Sequence, residues 1–209
     1  MVRLFFNKWF FIALMILLSM KIFAVEKYTF DKTHTYVLWR VSHFGFSDIT
    51  GKFLAEGEII LNTDDIEKSS VKVSVPINSI STGIKKLDDK LLLNSYFYVE
   101  KYPIATFKSI TIKKTGQNTA IIDGQVTIHG ITKPIVLNVT LQKEDKHPLY
   151  NRKALGFSAT GKLKRSDFDI RAYLPGVKDD VSLEIQAEAI LKVSSENEEE
   201  SRNAYYQYP

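Results

Sequence analysis

The chain has 209 residues, 28 of them Lys or Arg and 24 Asp or Glu, for a formal net charge of +4 at pH 7, and no cysteine. The missing cysteines exclude a disulfide framework, a thiol nucleophile, a thiolate metal site and a lipid anchored on sulfur. Acidic and basic residues are interspersed without a basic block, which excludes the usual footprint of a nucleic-acid-binding protein.

The first 24 residues read as an address. Arg3 and Lys8 precede an uncharged run from Trp9 to Met20, and Ala24 supplies a small residue before Glu26 and Lys27. This pattern predicts a secretory signal peptide cut after Ala24. A spanning helix needs about 20 apolar residues, so the competing reading, an uncleaved anchor, is the weaker one. Losing Arg3, Lys8 and Lys21 leaves 25 basic against 24 acidic residues. A bacterial periplasm suits an exported, cysteine-free chain. The remaining stretch is long enough for one domain, 25–193, without covalent staples.

Tyr28 to Phe30 can open a first strand, and Asp31 to Thr33 a turn. From Tyr36 to His43 the side chains alternate, with Val37, Trp39, Val41 and His43 on one face, the period of a two-faced strand. Gly45 to Gly51, with Ser47 and Asp48, predicts a turn. The next strand shows Phe53, Ala55, Gly57, Ile59 and Leu61 on its inner face. After a polar loop from Asn62 to Lys68, Val71, Val73, Val75 and Ile77 alternate with polar neighbours, and Pro76 predicts that the strand stops or meets an edge there. Ser81-Thr82-Gly83 then starts the one expected helix, Ile84 to Asn94, with Ile84, Leu87, Leu91, Leu92 and Leu93 as its apolar side. At about ten residues it needs a packing partner to be stable.

Ile104 to Lys113 reads as a strand with poorly separated faces, Ala105 and Phe107 against Thr106 and Lys108. A turn at Thr115 to Asn118 leads to Ile122, Gly124, Val126 and Ile128. The short link Gly130 to Pro134 makes a hairpin with Ile135, Leu137, Val139 and Leu141. Beyond a polar loop (145–153), Leu155, Phe157, Ala159, Gly161 and Leu163 line another inner face. Ser166 to Lys178 is a charged loop in which Asp167 and Asp169 are expected to pair with Arg165 and Arg171. Val181, Leu183, Ile185, Ala187, Ala189 and Leu191 mark the last strand. From Ser194 the periodicity ends in an acidic, tyrosine-rich segment, read as a disordered tail (194–209).

These elements predict an all-β fold, a closed antiparallel barrel of about eight strands with one short helix. Such a barrel either fills with side chains or holds one small ligand. Small inner residues on several strands (Ala55, Gly57, Gly124, Ala159, Gly161, Ala187, Ala189) favour a hollow interior only if large neighbours do not reach across them. Composition alone leaves hollow and solid open. No dinucleotide or phosphate loop, no Gly-x-Ser-x-Gly and no His-Glu-x-x-His occurs, so no cofactor and no catalytic residue is expected. His34 and His43 could form half a metal site by meeting across the first hairpin; the simpler expectation is a satisfied imidazole and a turn cap.

Asp31…His34…His43-x-Gly45-x-Ser47, Gly51-x-Phe53, Ser79-Ile80-Ser81-Thr82-Gly83, Val99-Glu100-Lys101-Tyr102-Pro103, Thr127-Ile128-x-Gly130-Ile131-Thr132-x-Pro134 and Arg165-Ser166-Asp167-Phe168 together resemble the YceI-like family over roughly residues 26–193. The resemblance implies a lipocalin-like periplasmic protein whose hollow barrel binds a long polyisoprenoid chain, here a polyprenyl chain or an isoprenoid quinone. Where family members carry an Arg-Asp-x-His-Leu helix and Asp-Phe-Phe-Asp, this chain has Leu87-Asp88-Asp89-Lys90-Leu91 and Ser95-Tyr96-Phe97-Tyr98. The ligand-contacting residues expected on this basis are Val37, Trp39, Val41 and His43; Phe53, Ala55, Gly57 and Ile59; Val73, Val75 and Ile77; Leu91 and Phe107; Val126 and Ile128; Leu137 and Val139; Phe157 and Ala159; and Ile185 and Ala187. The expected partner is an isoprenoid lipid and not nucleic acid, with a transient membrane contact and a homodimer left open. The alternatives are a barrel serving as an interaction or stress-response module and a lipid-modifying enzyme.

Overall fold

The computed structural model describes residues 25–192. The expected signal segment and the acidic tail lie outside the described residues. Ten strands are present: β1 (Val25–Phe30), β2 (Tyr36–His43), β3 (Ser47–Leu54), β4 (Glu56–Asn62), β5 (Ser70–Pro76), β6 (Ile104–Lys114), β7 (Thr119–Ile128), β8 (Ile131–Lys146), β9 (Lys153–Lys164) and β10 (Asp180–Leu191). They form one antiparallel sheet in the order β1-β4-β5-β6-β7-β8-β9-β10-β2-β3, and β1 also pairs with β10.

The register shows how ten strands fill eight places in the ring. β1 and β2 both lie against β10, with Phe30 opposite Ala189 and Tyr36 opposite Gln186. They are one long strand with residues 31–35 looped out of it. β3 and β4 are likewise one strand broken at Ala55, since β2 pairs with β3 and β1 with β4. The two breaks sit side by side, joined by the Ala55 N–H donating to the Thr35 carbonyl at 3.0 Å. Counting each broken strand once, every neighbour in the ring is also the neighbour in sequence. This is the up-and-down closed barrel that leaves few free edges.

Several local readings change. Ser47 to Gly51 is strand, and the turn is confined to residues 44–46, where Gly45 takes φ +75°. The turn residues Ser47, Asp48 and Gly51 misled because packing overrode their preference: the indole of Trp39 lies over Gly51 across the hairpin and leaves no room for a side chain there. β6 has no clean alternation because a bulge between Ser109 and Thr111 reverses its faces. Ala105, Phe107 and Ser109 point in before it, Ile112 points in after it, and Ile110 is left exposed. β5 stops at Pro76, and Ile77 enters a short 3-10 turn while remaining buried.

The helix is shorter than its apolar run. α1 spans Lys85–Leu91, and Thr82 holds its start by accepting from the Ile84 N–H and by donating its hydroxyl to Asp88 at 2.7 Å. Leu91 is buried against Phe53, Ile77, Ile80 and Ala105, with Leu87 and Leu92 beside it. Ile84 and Leu93, expected on the same side, point to solvent. They flank a helix of seven residues, too short for one stripe to include both ends.

Candidate functional site: the barrel cavity

The inner faces do not meet. Val37, Trp39, Val73, Val75, Phe107, Val126, Val139, Phe157, Leu183 and Ile185 all face inward yet stay only half-buried, because they border a cavity of about 900 Å³. That is near the top of the roughly 300–1,000 Å³ range of small-molecule pockets. The cavity runs the length of the barrel, from Phe44, Lys90 and Tyr173 at the helix end to Asn118, Glu144 and Lys153 at the other. Its middle is almost wholly hydrocarbon, and its polar residues collect at the two ends.

Every residue expected to contact a ligand lines this cavity except Gly57. A Cβ on Gly57 would meet the Lys72 carbonyl oxygen of β5, so this glycine serves a close approach of two backbones. The other inner glycines also leave no void. The Phe107 ring covers Gly124, and the Leu137 side chain covers Gly161. Of the seven small inner residues named from the sequence, Ala55, Ala159 and Ala187 border the cavity.

Residues not anticipated complete the helix-end wall. Tyr96 and Phe97 follow α1, and Phe97 packs edge-on against Phe53 with ring centroids 5.4 Å apart. Arg165 was expected in an ion pair and instead clamps a loop. Its guanidinium is buried, 8% exposed, and donates to the carbonyls of Lys178 (2.9 Å), Ile170 (3.2 Å) and Val177 (2.7 Å). Burial lowers its pKa, and the nearby Asp179 carboxylate opposes that shift. Arg171 does pair with Asp169, at 3.2 Å. Lys90, also on the cavity wall, donates to the Tyr173 hydroxyl at 3.1 Å, a bond that raises the ammonium pKa. The Arg165-Ser166-Asp167-Phe168 stretch carries part of the family resemblance but does not disclose the clamp, since the partners of Arg165 are backbone carbonyls.

His34 and His43 do not converge. The loop 31–35 and β2 run continuously between them, so they lie at opposite ends of one strand. His43 borders the cavity, its ring edge-on to Phe44. His34 belongs to a cluster in the looped-out segment, where Asp31, His34 and Glu188 bring ligand-type atoms within 4.8 Å of one another. The Asp31 oxygens are already engaged by Thr33 (2.7 and 2.9 Å), His34 (2.9 Å) and the Tyr150 hydroxyl (2.8 Å). Burial alone would raise the Asp31 pKa, but these hydrogen bonds hold it well below the carboxylate range. The cluster thus ties the strand break to the 147–152 loop. Among the described residues no helix is long and apolar enough to cross a membrane.

A closed meander barrel around one long apolar cavity places the chain among lipocalin-like barrels that enclose a ligand space. The YceI-like domain model matches residues 28–189, and the chain belongs to that family. A UPF0312 protein of Photorhabdus laumondii, plu2095, is 32% identical over 85% of this chain and 92% of its own length. The solved YCEI protein of Campylobacter jejuni superposes with a TM-score of 0.65 at 28% identity, covering 73% of this chain and 90% of that one. A domain from Saccharophagus degradans, described as polyisoprenoid binding and implicated in plant cell wall breakdown, shares the fold with a TM-score of 0.61 at 15% identity, covering 79% and 98% of the two chains.

Proposed function

We propose that this chain is a non-enzymatic binding protein that sequesters or carries a long isoprenoid lipid, a polyprenyl chain or an isoprenoid quinone, in the periplasm after its signal segment is removed. The observation that carries the reading is the cavity. It is about 900 Å³, runs from one end of the barrel to the other and is walled mainly by aliphatic and aromatic side chains, with most of its polar groups near the two ends. A long apolar molecule with one polar end suits that distribution. Compact polar substrates do not, since burying their groups without partners is costly. The family and the polyisoprenoid-binding neighbour support the choice of lipid class. The lining residues anticipated from the alternation, Trp39 and Ala159 among them, are the proposed contacts.

The test is organic extraction of protein purified without detergent, followed by mass spectrometry of the extract. An isoprenoid lipid in near-stoichiometric amount is the expected result. An empty protein, or one holding only straight-chain phospholipid or fatty acid, overturns the reading. Conversion of an added lipid by the pure protein would overturn its non-enzymatic part.

A further inference from the structure

The two ends of the barrel differ in surface chemistry. Three segments meet at the helix end. The Phe44 N–H donates to the Gly176 carbonyl at 2.7 Å, joining the β2–β3 tip to the 170–178 loop. Lys90 joins that loop to α1 through Tyr173. All three hold apolar side chains out to solvent: Phe46 is 92% exposed, Ile84 60%, Leu93 57%, Tyr173 56% and Phe44 51%. Single exposed apolar residues are ordinary, but five of the eleven large ones exposed among the described residues gather on this one rim. The opposite end shows Ile66 in a loop and Val25 at the start of β1, and the remaining four are scattered along the wall.

Lysines without a carboxylate partner lie on the same rim as these apolar tips. Residues 44–46, 84–93 and 169–180 contain Lys85, Lys86, Lys90, Arg171 and Lys178 against Asp88, Asp89, Asp169, Asp179 and Asp180. Asp179 accepts from Ser166, and Asp180 pairs with Lys164. Lys85 pairs with Asp89, Arg171 pairs with Asp169, and Asp88 accepts from Thr82. Lys86, Lys90 and Lys178 are left without a carboxylate partner among the described residues. The far end mixes signs, with Asp64, Asp65 and Glu67 against Lys68 in the 62–69 loop and Lys113, Lys114 and Lys146 beside the other two loops, so the apolar tips are what distinguish the helix end.

Protruding aromatic and aliphatic tips ringed by lysines whose charge no carboxylate neutralises are the chemistry of a protein that rests on an anionic lipid surface. We propose that the helix end of the barrel docks on a bilayer containing anionic phospholipid, with Phe46 inserted and Lys86, Lys90 and Lys178 facing the headgroups. The cavity wall reaches this same rim at Phe44, Lys90 and Tyr173. Docking therefore sets the cavity mouth against the hydrocarbon, so an apolar molecule passes between them without crossing water. Lysines around the exposed apolar tips suit an anionic lipid surface better than a protein partner, since protein interfaces are depleted in lysine. The proposal concerns the rim and holds whatever lipid the cavity takes.

The test is flotation of the chain beginning at Val25, since the leader's own apolar run would bind vesicles, with phosphatidylcholine vesicles with and without phosphatidylglycerol. Binding is expected only with phosphatidylglycerol and weakens as salt is raised. Phe46→Ser should lower the vesicle partition coefficient about tenfold, the order expected for withdrawing one buried aromatic side chain. Combined Lys86→Glu and Lys178→Glu should abolish binding, and Ile66→Ser at the far end should leave it unchanged. Phe46 is almost fully exposed, so its variant should melt like the parent, which separates lost docking from lost fold. No binding by the parent, or equal loss from Ile66→Ser, overturns the proposal. So does a parent that is dimeric by light scattering and becomes monomeric with Phe46→Ser while vesicle binding persists, because the rim would then pair with a second copy.

Discussion

Ala159 offers the sharpest test of the hollow barrel. It lies on β9 between Val139 of β8 and Ile185 of β10, and all three border the cavity. Ala159→Leu adds about three carbons. If these enter the cavity they displace about three methylenes' worth of ligand contact, which at about 0.8 kcal/mol each is about 2.4 kcal/mol. That corresponds to a roughly 60-fold rise in Kd. The ligand-free fold should be nearly unaffected, whereas overpacking a filled core costs about 1–3 kcal/mol, or roughly 2–4 °C in Tm per kcal/mol for a domain of this size. Of the two tryptophans, Trp9 lies in the expected signal segment before Val25, and Trp39 lies on the cavity wall. Fluorescence of a chain beginning at Val25 therefore reports occupancy as an isoprenoid quinone is titrated in. Melting is compared after delipidation, because bound ligand itself raises stability. A variant that unfolds early and binds with unchanged Kd would refute the reasoning, since the space beside Ala159 would then be core.

Arg165→Met removes the donor to three backbone carbonyls and should destabilise the protein by about 3 kcal/mol or more, with the 166–178 loop losing its amide-exchange protection first; a variant within about 0.5 kcal/mol of the parent in urea would show that the clamp is dispensable. The hydrogen bond to Asp31 raises the His34 pKa above 6.5, so its stabilisation is complete below that value and is lost as pH rises through the folded-state pKa. His34→Gln should therefore lower Tm more at about pH 5.5 than at about pH 8.5, and a difference that stays constant with pH would contradict the linkage.

Alternation in β2, β5, β7, β8, β9 and β10 was legible, because a strand with one apolar face writes period two into the chain. The cavity wall followed from it almost residue by residue. Whether that wall enclosed space was not legible in the alternation and followed only from the family resemblance. Gly124 and Gly161 are as small as Ala159, yet Phe107 and Leu137 lean over them, and only three-dimensional reach tells the cases apart. The β6 bulge hid its own faces. The turn expected over Gly45–Gly51 shrinks to residues 44–46: Ser47, Asp48 and Gly51 have the composition of a turn, while Trp39 packing across the strands keeps that segment extended. The helix was overextended for a related reason: five apolar residues looked like one stripe, but two of them serve the rim.

The length of the strands has a further consequence. β9 and β10 have 12 residues each. At about 3.3 Å per residue such a strand is about 40 Å long, and a tilt of about 40° leaves a wall about 30 Å tall. The hydrocarbon layer of a bilayer is about 30 Å thick. The barrel thus encloses an oily column as tall as the membrane interior is deep, wrapped in a water-compatible coat. An extended chain moved from one to the other keeps its surroundings along its whole length, so the step can run in either direction with little bias. Under the proposed carrier role, net transport would then depend on what waits at each end, with no energy source in the protein itself.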